Sequence, residues 1–574
     1  MLVGLRLALW LLFSYLMHEN RAAVTIALGL LASCPQPDLV RGQPLDAGSA
    51  LDAAIDAAID AAIDPDLTPQ VPYQFGIEVD LDTGAVRGQA DDGLRIFRGL
   101  PFARPPIGDR RLRPPAKPEP WSGIRSAADF GPACPQTPLP TMSSTDRMSE
   151  DCLTANVWAH DDDRVRPIMV WIYGGGFILG SGDWPIYDGA DLARDGDVVV
   201  VTFNYRLGAL GFLATPELRA EDPEGRVGTF GLLDEVELLR WLRRNARAFG
   251  GDPYQVTVFG ESAGGISICA LLTAPPAAGL FQRAIAQSGG GCNLFAHPDT
   301  PNDLGLPAAF ETGRDLVETL GCGAAADQPA CLRALPAQDF ADAVPFGSLF
   351  TGPITQRLRL APVVDGVVLP KMPIDRIKQE GAGGVQVIFG SNENEATLFT
   401  MFDVVPTRSS FRDLVEGVFP DPALVDAIVE LYPGLEFLLP KDAYNALLGD
   451  VLFNCGTLAA ASAVGGQGRV YYFTRAPITI SAFMGTMHAI DTIYTFDTFD
   501  AFAVLPTSAD RAVELLVQTA WSSFARTGTP EFPGGWPAYR PGVASIARID
   551  DPPELLMQIR AGRCAALREL GVVP

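Results

Sequence analysis

The pentapeptide Gly260-Glu261-Ser262-Ala263-Gly264 ends a short β-rich run, Gln255 to Phe259, and an apolar, helix-compatible stretch, Ile266 to Leu272, follows at once. Strand, tight turn and helix in that order put Ser262 on a sharp elbow, where Gly260 and Gly264 lack the Cβ atoms that would block so tight a turn. Ser262 is a candidate nucleophile, but a serine hydroxyl is weak at neutral pH and needs a base. The chain has four histidines. His18 lies near the amino terminus. His160 stands in a polar Ala-His-Asp-Asp-Asp run expected to be an exposed loop, and His297 precedes Pro298 in another loop. That leaves His488, in Gly485-Thr-Met-His-Ala-Ile-Asp491, ahead of the apolar run Ile493 to Phe496. In an open α/β sheet the orienting carboxylate falls between nucleophile and base in sequence. The stretch Gly390-Ser-Asn-Glu-Asn-Glu395 after the expected strand Val385 to Phe389 offers two, Glu395 and its rival Glu393, with plain solvation the alternative for both. Acyl transfer also needs N–H groups aimed at a developing oxyanion. Tyr173-Gly174-Gly175-Gly176-Phe177 supplies a backbone free to approach a substrate closely, and the N–H of Ala263 would complete the set.

The elements that must hold these residues are legible as buried strands. Pro167 to Tyr173 and Asp197 to Phe203 are continuous apolar, β-branched runs, as expected of strands covered on both faces of a largely parallel sheet, and Gln255–Phe259 and Val385–Phe389 repeat the pattern. Leu232 to Leu242 carries apolar residues at helical spacing, so strands alternate with helices. The fold class expected is α/β, with helical insertions at 290–380 and 400–465 roofing a cleft over the carboxyl ends of the strands. Prolines through Phe97 to Pro106 and Arg111 to Pro115 predict a rigid, irregular surface stretch there rather than a central strand.

Composition narrows the class further. The 574 residues are 48% hydrophobic and 19% charged, enough for a large core, and a formal net charge of -25 argues against a nucleic-acid partner. Two apolar runs open the chain, Leu2 to Leu16 and Ala22 to Ser33, each shorter than the roughly 18 residues of a membrane span. The second ends in Leu31-Ala32-Ser33-Cys34, which resembles a bacterial lipobox, so residues 1–34 are expected to be an export signal with Cys34 a lipidation candidate, the alternative being an ordinary cleaved signal. Residues 35–71 carry Asp-Ala-Ala-Ile repeats with Asp52, Asp56, Asp60 and Asp64 four apart amid prolines, an acidic tether that cannot bury a core. The folded domain is expected over 72–574. Nine cysteines in an exported chain suggest disulfides.

Taken in order, these motifs resemble the type-B carboxylesterases, a family that includes cholinesterases and the non-catalytic neuroligins. The likeness is carried by Phe97 to Pro106, Ser149 to Leu153, Val170 to Phe177, Asn204 to Gly208, Phe249 to Pro253, Phe259 to Gly265 and Trp521 to Gly528, and covers almost everything from about residue 75 onward. It implies an α/β-hydrolase fold and a carboxylic ester hydrolase with Ser262 as nucleophile, Glu395 as acid in preference to Glu393, and His488 as base. It implies Gly175, Gly176 and Ala263 as oxyanion donors, a small-molecule ester as substrate, and no metal or organic cofactor. It further implies the pairs Cys134 with Cys152, Cys322 with Cys331 and Cys455 with Cys564, leaving Cys269 and Cys292 as buried free thiols. Ala396, Ala489 and Asp491 depart from residues common in the family, and none of them removes a reacting group. A neuroligin-like binding protein would lack one of the reacting groups. An amidase, thioesterase or carbamate hydrolase would share all three.

Overall fold

The computed structural model describes residues 68–138, 147–350 and 360–573, apart from 420, 435, 438 and 561. The expected export signal, the lipidation candidate Cys34 and the Asp-Ala-Ala-Ile repeats lie outside the described residues. Those described contain fourteen strands: β1 Glu78–Leu81, β2 Gly84–Arg87, β3 Gln89–Asp91, β4 Leu94–Pro101, β5 Ile124–Ser126, β6 Thr154–His160, β7 Arg166–Ile172, β8 Val199–Phe203, β9 Gly251–Glu261, β10 Arg283–Gln287, β11 Gln386–Asn392, β12 Gly468–Phe473, β13 Ile546–Ile549 and β14 Glu554–Leu556. β1, β2 and β5 make a small sheet, and the rest form one sheet in the order β14-β13-β12-β11-β10-β9-β7-β8-β6-β4-β3. From β13 across to β8 every neighbouring pair is parallel. The outer strands β14, β6, β4 and β3 run antiparallel to their inner neighbours.

Burial explains this pattern. Every residue of β7 and β8 is buried, because helices cover both faces of the parallel region and the strands can be apolar throughout. The helix Phe230–Asn245 buries all but one of its residues. Its Asp234 carboxylate receives the Arg206 guanidinium at 2.7 Å, and Arg206 gives its remaining donors to the carbonyls of Arg113 and Phe230. A buried ion pair is tolerable only when its spare hydrogen-bonding groups are occupied in this way. The helix Ser508–Thr527 starts with a reciprocal cap between Thr507 and Asp510 and sends Trp521 Nε1 to Gln287 Oε1 at 3.2 Å, at the end of β10. Among the described residues, every named element in 290–380 and 400–465 is a helix; 400–465 is mostly helical as its sequence predicts, whereas in 290–380 irregular chain outweighs the short helices.

Two expectations are corrected. Leu94–Pro101 is a strand of the main sheet, with Ile96, Phe97 and Leu100 buried, and not an irregular surface stretch. Its proline is the last residue, where no ladder N–H is needed, and the strand is irregular between Phe97 and Leu100; the proline rule applies only beyond Pro101. His160 is not in an exposed loop. It closes β6 opposite Leu94, half-buried, with Nε2 2.8 Å from the Ala193 carbonyl, and burial lowers its pKa.

Sheet growth reverses direction between β7 and β9, which are neighbours although β8 lies between them in sequence. In open α/β sheets the crevice at the carboxyl ends beside such a reversal is where ligands bind. Here those two ends carry the triple glycine and Ser262.

Candidate active site

Ser262 stands between β9 and the helix Ala263–Leu271 at φ 55° and ψ −120°, outside the regions that non-glycine residues favour. A Cβ on Gly260 would come 2.6 Å from the Ile172 carbonyl oxygen, and one on Gly264 would come 1.9 Å from the same atom. No side chain fits at either position, as the spacing of the pentapeptide predicts. The Ser262 N–H donates to Gln287 O at 3.0 Å, tying the elbow to β10. Beneath it, Ser267 Oγ donates to the buried Glu235 carboxylate at 2.7 Å, joining the two core helices. Burial raises the Glu235 pKa well above the carboxylate range.

The glycine loop lies against the serine: a Cβ on Gly174 would stand 2.9 Å from Ser262 Cβ. Gly175 and Gly176 adopt φ 112° and 61°, conformations that glycine takes without steric cost. The loop is pinned at its base by Tyr173 and Tyr205, whose rings stack at 4.5 Å. Each hydroxyl donates to the other residue's carbonyl, at 3.2 and 2.9 Å. Among the described residues, the N–H groups of Gly175, Gly176 and Ala263 donate to no acceptor.

His488 follows a backbone bridge between Met487 and Asn394, which draws the segment after β12 onto the segment after β11. Its ring is buried, with Nδ1 2.6 Å from Glu395 Oε2. Glu395 is fully buried as well, and its other oxygen accepts from Ser288 Oγ at 2.6 Å and the Asn392 N–H at 2.7 Å. The rival Glu393 is half-exposed, and its charge acts on Arg560 and Tyr472 instead. His297 is away from this cluster, in the loop whose carbonyl caps Ala309.

Three features of this cluster have no role that the sequence assigns. Glu261, inside the pentapeptide, brings Oε1 to 3.1 Å from His488 Nε2. Burial raises Glu261 to about 8, opposed by His488. Burial acts to lower His488, but Glu261 and Glu395 outweigh it and hold the imidazole up at about 9. Second, the rings of Phe399 and Phe453 lie 4.8 Å from the imidazole, each tilted against it. Phe453 belongs to a wide turn, Asp450–Asn454, with π-helical hydrogen bonding. Third, Asp491 is buried beside the cluster and accepts from Tyr471 Oη at 2.7 Å, Gln287 Nε2 at 2.9 Å and Asn392 Nδ2 at 3.3 Å.

The bonds Cys134–Cys152, Cys322–Cys331 and Cys455–Cys564 form as the resemblance implies. Cys269 and Cys292 are not free thiols; they form a fourth disulfide, with Cα atoms 5.1 Å apart. The reason is glycine contact between two backbones. A Cβ on Gly265 would lie 2.8 Å from the Gly289 Cα, so the helix after Ser262 and the loop after β10 run close enough for their cysteines to meet.

A mostly parallel sheet flanked by helices, with a positive-φ serine after β9 and a buried histidine–carboxylate pair at the same edge, defines an α/β-hydrolase. Residues 76–567 match the Carboxylesterase family, and the chain belongs to it. The chain is 34% identical over 482 residues to a para-nitrobenzyl esterase of Bacillus subtilis, across 81% of this chain and 93% of that protein. It is 36% identical to a fumonisin B1 esterase of Sphingopyxis macrogoltabida over 468 residues, 78% of this chain and 82% of that one. Among solved structures, one titled PNB esterase superposes with a TM-score of 0.73 at 33% identity, covering 87% of this chain and all of its own. The protein is a serine carboxylesterase.

Proposed function

We propose that the protein hydrolyses small-molecule carboxylic esters through an acyl-Ser262 intermediate. Ser262 Oγ attacks the ester carbonyl as His488 Nε2 takes its proton. The oxyanion settles among the N–H groups of Gly175, Gly176 and Ala263, and the alcohol leaves with the proton from Nε2. Water, deprotonated by the same nitrogen, then releases the acid and restores Ser262. Glu395 keeps the Nδ1 proton in place and stabilises the imidazolium, with Ser288 and the Asn392 N–H fixing the carboxylate in turn. The reaction requires no metal ion or organic cofactor. The observation that most directly supports this reading is the buried 2.6 Å bond between His488 Nδ1 and Glu395 Oε2, at the edge where Ser262 stands at φ 55°. The test is hydrolysis of p-nitrophenyl acetate by the purified protein and by Ser262→Ala. Loss of several orders of magnitude in kcat with the fold intact is expected. Activity within tenfold of the parent removes Ser262 from the mechanism.

We infer export from the amino-terminal pattern, supported by the four disulfides, which persist in oxidising compartments. Mass spectrometry of the mature amino terminus decides between a lipidated Cys34 and a signal cleaved elsewhere.

A further inference from the structure

Because β7, β9, β11 and β12 are parallel, the segments that leave their carboxyl ends emerge at one edge of the sheet, around Ser262. Three of the segments at this edge form an apolar rim. Leu349 lies over the glycine loop, its Cδ2 2.6 Å from where a Gly176 Cβ would be. Phe350 follows it and meets the Phe346 ring at 5.1 Å and the Phe402 ring at 6.0 Å, both edge-on. This line of side chains runs outward from the glycine loop to Phe402, which is 54% exposed beside exposed Met401 and Val404. Thr397 Oγ1 donates to Met484 O at 2.7 Å, so the next neighbour is the short helix Ile478–Met484. That helix buries none of its residues, and Ile478 and Phe483 are 72% and 78% exposed.

Charge sets this surface apart. From Ala476 to Met487, and from Val344 to Phe350, there is no charged side chain, and from Ala396 to Val405 only Asp403, in a chain that is 19% charged with a net charge of -25; Lys441 reaches this last segment from outside, its Nζ donating to the carbonyls of Met401 and Asp403. Clustered exposed apolar side chains on a soluble fold mark an interaction surface. An anionic bilayer would be repelled by the acidic protein, and a rim so poor in charge offers a charged partner little to pair with. A neutral apolar phase would match both the exposed side chains and the scarcity of charge. We propose that this rim docks the enzyme on aggregates of neutral, water-insoluble esters, so that its substrates include lipid-like esters presented at an interface. The proposal rests on the esterase reading of Ser262 for its catalytic half only.

The test crosses the solubility limit of tributyrin, with p-nitrophenyl acetate as the dissolved control. The parent should show a severalfold step in rate once droplets form. The double variant Ile478→Ser with Phe483→Ser should lose that step while keeping p-nitrophenyl acetate turnover within about twofold, since neither side chain touches the reacting groups. In flotation, Ser262→Ala should rise with triolein droplets and stay behind with phosphatidylglycerol vesicles, and Phe402→Ser on that background should weaken the first. A rate that saturates with dissolved ester and shows no step would overturn the proposal. So would flotation that the substitutions leave unchanged, or a dimer that the double variant separates into monomers. If p-nitrophenyl acetate is not hydrolysed at all, the esterase reading fails, and droplet flotation of Ser262→Ala still decides the docking.

Discussion

Replacing Glu261 with Gln keeps the size of the side chain and removes its charge, and the consequence falls on His488, whose Nε2 lies 3.1 Å away. At that separation a unit charge is worth about 1 kcal/mol in bulk water and about 5 kcal/mol at the effective dielectric of a protein site. With about 1.4 kcal/mol per pH unit, the imidazolium loses roughly one to four units of support. Burial pulls the same ring downward, and the Glu395 charge is then the main one left opposing it. In the proposed mechanism Nε2 must be unprotonated to take the serine proton, so kcat/KM should fall as pH drops through the His488 pKa, which the two carboxylates raise to about 9 in the parent. Glu261→Gln should therefore move the ascending limb to lower pH by at least about one unit and bring kcat/KM at neutral pH closer to its plateau, whatever happens to the plateau itself. The assay is kcat/KM for p-nitrophenyl acetate from about pH 5 to about pH 10 at constant ionic strength. A limb that stays in place, or moves to higher pH, would show that Glu261 carries no charge while His488 titrates, and the argument would be lost.

Other outcomes follow from the same geometry. Removing the hydroxyl in Ser288→Ala leaves Glu395 Oε1 with the Asn392 N–H alone; a charged hydrogen bond of about 1.5 kcal/mol predicts about a tenfold fall in kcat/KM, and an unchanged value would mean that the bond does not orient the carboxylate. Glu395→Gln should cost less in kcat than His488→Ala, because the base itself survives; equal losses would count against an orienting role. Non-reducing peptide mapping should recover Cys269 linked to Cys292, and removing both cysteines should lower the unfolding free energy by about 2–4 kcal/mol in urea titration. A choline ester should be hydrolysed no faster than a neutral ester of equal acyl length, since Pro135 to Asp151, inside the Cys134–Cys152 loop, contains no aromatic residue to hold a quaternary ammonium. A hundredfold preference for choline, about 2.7 kcal/mol, would reveal a cation site elsewhere.

The parts of this protein that were legible in its sequence are those whose chemistry is local. The elbow glycines are fixed by clashes with the neighbouring strand, and a strand-turn-helix reading of Gln255 to Leu272 is enough to demand them. The four continuous apolar runs became buried parallel strands because burial on both faces leaves no polar position to interrupt them. The acid was less determined by the residues alone: two glutamates two residues apart stood as rivals there, only the family resemblance preferred Glu395, and the structure buries Glu395 against His488 beside the backbone bridge between Asn394 and Met487. Glu261, Ser288 and Phe453 gave no signal, since their importance comes from which strand ends are neighbours. The proline-rich segment misled because Pro101 removes only its own N–H and biases the residue before it toward extended backbone, so Leu94 to Leu100 could still pair with β6.

Backbone strain gives a physical reason for the fourth disulfide being where it is. Among the described residues eleven that are not glycine have positive φ, and five of them, Phe177, Ser262, Ser288, Cys292 and Ala489, stand around this one edge of the sheet. Each costs on the order of 1–3 kcal/mol and persists only where surrounding structure over-determines it. Ala489 stands at φ 67°: the turn that follows His488 asks for a left-handed residue, and alanine fills under strain a place that glycine would take freely. Ser262 is held by its bond to Gln287 O, and Ser288 by its bond to Glu395. Cys292 is anchored by a covalent link to the helix that begins just after Ser262, and its carbonyl accepts the Ile374 N–H at 2.9 Å. The cross-link thus joins two strained segments that the sheet delivers to one place, and the pair of cysteines that looks dispensable by sequence is buried where the helix after Ser262 meets the loop after β10.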